Sequence, residues 1–145
     1  MKATRVRSLR GTVTLQAGGQ GKRQLIVDDG LINTGYKIDK IYVWSPSNLS
    51  AWKGILSTRV QVGFNPDAGD NNQIGWFNKE TGALQDNVLD PDHIAVRDLY
   101  INLEVTGGGA GDTMNYMIVM QQYSLSDEEA IIQISKEDNQ ASSPA

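Results

Sequence analysis

Apolar and polar residues alternate along most of this chain, and a period of two argues for strands. Val13 and Leu15 alternate with Thr12, Thr14 and Gln16. A second run, Gln24–Asp28, ends in Asp29-Gly30, the pair that a tight hairpin with positive φ favours. Leu31-Ile32 follows, with a further turn expected at Thr34-Gly35. Tyr36–Trp44 reads as a long strand of β-branched and aromatic residues, stopped at Ser45-Pro46 because proline cannot donate to the ladder. Ile55–Val62 resumes the alternation, with Leu56, Val60 and Val62 on one face.

The polar segment from Asn65 to Asn72 reads as a connector, followed by a short strand at Ile74–Phe77 and a turn at Thr81-Gly82. His93–Val105 is the strongest strand by pattern, with Leu99, Ile101, Leu103 and Val105 sharing a face. Ile94 and Val96 lie on the opposite parity, so a bulge or sheet corner is expected at Arg97-Asp98. After a glycine-rich link, Met114–Tyr123 forms the last strand. It is apolar on both parities at Tyr116–Met120, which predicts a central strand covered on both faces.

About eight strands separated by turn signals point to an all-β fold, a single-domain β-sandwich of jelly-roll or Greek-key type. No helix-period stretch interrupts them, which excludes a βαβ architecture. One short helix is expected at the C-terminus. Ser126 and Glu129 stand three apart as a capping box, with acids in the first turn. Leu125, Ala130, Ile131 and Ile134 supply its apolar stripe, with Ile132 partly off it. The chain then divides into a basic strand or arm at 1–23, a sandwich at 24–123, an acidic capped helix at 124–137 and a polar, flexible tail at 138–145.

Charge sharpens that division. The net charge of −4 combines six basic residues and no acid in residues 1–23 (Lys2, Arg5, Arg7, Arg10, Lys22 and Arg23) with a surplus of ten acids in the rest. A basic segment on an acidic body suits a negatively charged partner, or marks an edge strand that uses charge to resist aggregation. The acidic body argues against nucleic-acid binding except through that segment. There are no cysteines, which excludes disulfides and thiolate metal sites. The N-terminal segment lacks the apolar core of a secretory signal, and no window is long enough to span a membrane.

Little in the chain suggests chemistry. His93 is the only histidine, and its neighbour Asp92 points to the opposite face if both lie on a strand, so the two do not form a dyad. Gly107-Gly108-Gly109-Ala110-Gly111 lacks the Gly-Lys-Ser/Thr ending and the following helix of a phosphate loop, and reads as a hairpin linker. Asp67, Asp70, Asn71 and Asn72 offer oxygen ligands without calcium-loop spacing. No enzyme activity, cofactor or metal is expected.

The aromatic residues say more. If Ile41 and Val43 face the core, Tyr42 and Trp44 face outward and need a cover. Trp52, read as a loop residue, and Trp76 are further candidates for an interface or for stacking on sugars. The cover is either the chain itself or another subunit. Interface candidates are therefore Lys2, Arg5, Arg7, Arg10, Tyr42, Trp44, Trp52, Trp76, Glu128, Glu129 and Ile132.

Three segments carry a resemblance: Gly30 to Ile38 (GLINTGYKI), Asp90 to Ile101 (DPDHIAVRDLYI), and Asn115 to Met120 (NYMIVM) leading to Ser124 to Ala130 (SLSDEEA). Together they resemble small structural proteins of marine tailed bacteriophages. The resemblance implies an accessory virion protein of capsid-decoration, minor-capsid or vertex type. Its partners would be copies of itself and other capsid proteins, and it would be found in the virion and, during assembly, in the host cytoplasm. It implies no catalytic residue. The alternative is a carbohydrate- or host-receptor-binding β-sandwich module.

Overall fold

The computed structural model describes residues 1–25, 33–96 and 98–142, with side chains described as far as residue 135. Eight strands run in order: β1 (Lys2–Thr14), β2 (Gln20–Leu25), β3 (Thr34–Trp44), β4 (Trp52–Ser57), β5 (Gln73–Lys79), β6 (Asp86–Leu89), β7 (Leu99–Val105) and β8 (Thr113–Ser124). One helix, α1 (Asp127–Ser142), follows. The strands form two antiparallel sheets, three-stranded β1-β8-β3 and five-stranded β2-β7-β4-β5-β6. This is the sandwich-like all-β fold with a closing helix that the alternation predicts.

Alternation fixes which residues fill the space between the sheets. Met114, Tyr116, Ile118 and Met120 of β8 are buried, and the register sets Val43, Ile41 and Ile38 of β3 beside the last three. Leu99, Ile101, Leu103 and Val105 of β7 face them from the larger sheet, with Leu56, Trp52 and Phe77. Gly54 stands opposite Phe77, and a Cβ there would collide with the Phe77 ring. The glycine leaves the space that the ring fills. A smaller cluster, Val96, Leu125 and Ala130 with Tyr123 and Ile134, seats α1.

Two cations cover aromatic rings of the smaller sheet. Arg7 and Arg23 occupy core-facing rows at the sheet edges, opposite Met120 and Ile101. The Arg7 guanidinium lies 5.4 Å from the Tyr36 ring centre and donates to the Tyr36 hydroxyl at 3.0 Å. Arg23 lies 6.0 Å from the Tyr116 ring and donates to the Thr12 carbonyl at 2.6 Å. Inward-pointing charge of this kind covers aromatic surface and keeps an edge from pairing with a stranger.

Several expectations change. The second strand begins at Gln20 rather than Gln24, and the expected hairpin at Asp29-Gly30 lies outside the described residues. Thr34-Gly35 opens β3 instead of forming a turn. The run Ile55–Val62 stops as a strand at Ser57, because the Ser57 hydroxyl donates to the Arg59 carbonyl and turns the chain out. Val60 and Val62 are exposed.

His93–Val105 is not one strand. Ala95 bridges to Tyr36 of the smaller sheet, whereas Leu99 pairs with Leu25 of the larger one. The phase slip at 97–98 thus marks the passage between sheets, with Arg97 itself outside the described residues. The glycine-rich link also joins the two sheets rather than closing a hairpin, with Gly107 and Gly111 at φ of 75° and 89°. β8 is central but buried on one face only, since Asn115, Met117 and Val119 stay half-exposed.

The capping box is present in both halves: Ser126 N–H donates to Glu129 Oε1 at 3.1 Å, and Glu129 N–H to Ser126 Oγ at 3.2 Å. α1 continues through Ser142, past the expected end at 137 and into the segment read as a flexible tail. Ile131 is exposed rather than part of the packed stripe.

Candidate functional site

The outer faces of the two sheets differ in what covers them. On the larger sheet, one cross-strand row runs Lys22, Asn102, Ile55, Trp76 and Val88. Ile55 is fully buried although it points away from the core. Its cover is the connector between β4 and β5, folded back over the sheet. Lys22 Nζ donates to the Gln61 carbonyl at 2.7 Å, Asn102 Nδ2 to the Gly63 carbonyl at 2.8 Å, and Thr58 N–H to the Asn72 carbonyl at 2.9 Å. Buried Gln73 holds the connector's centre, accepting from Asp67 N–H at 2.8 Å and donating to the Asn65 carbonyl at 2.8 Å. The connector's carboxylates serve its own turns: Asp67 accepts from Gly69 N–H and Asp70 from Asn72 N–H.

Among the described residues the smaller sheet has no such cover. Its outward rows are Thr12–Asn115–Trp44, Arg10–Met117–Tyr42, Ser8–Val119–Lys40 and Val6–Gln121–Lys37. Tyr42 is 42% exposed, Trp44 46% and Val6 65%. The parity reading of β3 holds, with Ile41 and Val43 buried and the two aromatics out. Arg10, Met117 and Tyr42 stand side by side across three strands, within the reach of cross-strand contact. Arg10, Lys37 and Lys40 are the cations of this face.

The other candidates scatter. Trp52 is buried as the first residue of β4, not exposed in a loop; its Nε1 donates to Gln85 Oε1 at 3.1 Å and Lys79 lies 5.2 Å from its ring. Pairing with both β5 and β7 draws it into the core. Trp76 is half-buried, its Nε1 donating to Gln73 Oε1 at 2.8 Å. Arg5 donates to Gln122 Oε1, and Arg7 is occupied by Tyr36, so neither stands on the outer face with Arg10. Lys2 is exposed at the far end of β1. Glu128 and Ile132 are exposed on α1, away from the aromatic pair.

Glu129 pairs with the Met1 ammonium at 2.8 Å. That ammonium, and then the Ser126 backbone N–H, holds its carboxyl below the usual carboxylate range. Met117, Val119 and Val6 belong to the open face but were not among the expected candidates. The signal was the double parity of Tyr116–Met120, read as a strand buried twice.

His93 is buried and lies outside any strand. Among the described residues no cluster of three histidine, cysteine or acidic side chains could hold a metal ion. Among the same residues no helix is long and apolar enough to cross a membrane. Comparison with family models, curated proteins and solved structures finds no match to this chain.

Proposed function

We propose that this chain is an accessory structural protein of a virion, of capsid-decoration, minor-capsid or vertex type. It acts in many copies by docking the outer face of its three-stranded sheet onto other capsid proteins. One observation carries this reading: among the described residues Trp44, Tyr42, Met117 and Arg10 lie together uncovered, while on the opposite outer face the chain's own connector buries Ile55. Tryptophan, tyrosine, methionine and arginine are the residue types that concentrate at protein interfaces, and truncation of buried aromatic or arginine anchors there costs most. Thr12, Ser8, Lys40 and Lys37 would form the polar rim.

The winding of the strands supports a structural role. β1 lies beside β8, β2 beside β7 and β4 beside β5, and β8 and β7 in turn take β3 and β4 as second neighbours. That order supports a jelly-roll reading of the sandwich, a fold used in viral capsids and in lectins. β6 departs from it. It pairs with β5 and reaches β3 only through side chains, Asn87 Nδ2 and neighbouring Gln85 Nε2 donating to the Ile41 carbonyl at 2.9 and 3.2 Å.

Mass spectrometry of purified, washed particles of the encoding virus tests the role, and the expected result is a stoichiometric copy number per particle. Absence from washed particles would overturn it. Particles assembled with Trp44→Ala are expected to lose the protein on washing.

A further inference from the structure

We infer that the cleft around Trp76, on the outer face of the five-stranded sheet, is a carbohydrate-binding site. The cleft holds about 240 Å³ and is lined by Lys53, Pro66, Trp76, Asn78, Asp86 and Val88, with Gly54 and Phe77 as its floor. Trp76 and Val88 are cross-strand partners, so an indole and an exposed isopropyl group form one continuous apolar step. The indole is fixed in place. Its Nε1 is tied to Gln73, itself 96% buried and bonded to two points of the connector, which also presents Pro66 across the cleft.

In the adjacent cross-strand row Glu104 of β7 flanks Lys53 on one side, and Lys53, Asn78 and Asp86 stand side by side. All three side chains are exposed, and among the described residues none makes a side-chain hydrogen bond or ion pair. A cation, an amide and a carboxylate thus stand free in line, spanning roughly 10 Å at the ordinary spacing of three neighbouring strands. A pyranose ring has matching chemistry. Its axial C–H groups make an apolar patch that packs on an aromatic face, while its equatorial hydroxyls both donate and accept around the rim. Asp86 accepts, Lys53 donates, and Asn78 does both, which suits hydroxyl pairs better than it suits an anion or an apolar peptide. A second cleft, lined by Asp70, Asn71, Asp90 and Pro91, flanks the other side of Trp76 and gives room for a neighbouring sugar.

This site is separate from the docking face of the smaller sheet, so either can fail alone. The test uses the full chain with immobilised oligosaccharides of glucose, galactose, N-acetylglucosamine and uronic acids, followed by titration of any retained sugar. Binding is expected to weaken roughly tenfold or more in Trp76→Ala and in the exposed variant Asn78→Ala, and to be unchanged in Trp44→Ala. Circular dichroism and the thermal midpoint of each variant confirm that it is folded, and Asn78→Ala carries the test if Trp76→Ala loosens the connector. Retention of no oligosaccharide overturns the inference. So does binding that survives Asn78→Ala and Trp76→Ala, or that is lost in Trp44→Ala.

Discussion

Two outer faces of one sandwich, built from the same alternating pattern, end in opposite conditions. Over the middle of the five-stranded sheet the chain supplies its own cover, and Ile55, pointing away from the core, is as buried as Ile118 within it. On the three-stranded sheet Trp44 and Tyr42 point away from the same core and stay in solvent. The difference is not in the strands. It lies in the connector between β4 and β5, whose polar groups reach back to the sheet, while nothing of comparable length folds over β1, β8 and β3 among the described residues. The covered part of an outward face belongs to the stability of the fold, and an uncovered part, whether around Tyr42 or around Val88, is available to something else.

Substitutions ranked by cost should separate these conditions. Ile55→Ala is expected to cost about 3 kcal/mol in urea unfolding, as a core deletion would, because the connector cannot fully collapse onto the space. A cost below about 1 kcal/mol would mean that the cover is loose. Gln73→Leu comes next, at about 2 kcal/mol, since it strands Asp67 N–H, the Asn65 carbonyl and the Trp76 indole N–H. Hydrogen exchange should show residues 58–72 opening in that variant while β8 stays protected.

Ser126→Ala is expected to cost about 1 kcal/mol by removing half of the capping box, read as a lower thermal midpoint. Glu129→Gln gives a smaller effect that depends on pH. Because the folded state holds this carboxyl below its usual range, its contribution is present at neutral pH and fades as pH falls through the depressed value. The difference between wild type and Glu129→Gln should therefore shrink toward acid in paired thermal melts. Smallest of all is Trp44→Ala, expected to shift stability by no more than about 0.5 kcal/mol while removing the protein from washed particles. A large loss of stability there would show that Trp44 serves the fold rather than a partner.

How much of this was legible in the sequence depends on the range of the cause. Parity along Tyr36–Trp44 placed Ile41, Tyr42, Val43 and Trp44 correctly because side-chain direction in a strand is local. The Ser126–Glu129 box was equally local. Burial of Trp52 was missed because it depends on β5 and β7, both distant in sequence. The fate of Ile55 and Trp76 depends on a connector that looks, as a sequence, like any polar loop. Val60 and Val62 continued the alternation into that connector, and only the turn at Ser57 shows that the strand had ended. The double parity of Tyr116–Met120 was a true signal with the wrong consequence attached. Both faces of β8 carry apolar residues, yet among the described residues only one is covered.

The nesting of the strands also sets an order of events. Lys2 pairs with Ser124 and Thr14 with Thr113, so β1 finds its ladder only when β8, about a hundred residues later, emerges from the ribosome. β3 waits for β8 as well, which leaves the whole smaller sheet unformed until residues 113–124 have been made. Closing contacts over such separations is slow, and the apolar faces of β1 and β3 remain open meanwhile. In the nascent chain, the cationic side chains along β1 repel the same strand of a second molecule during the interval when mispairing would be easiest.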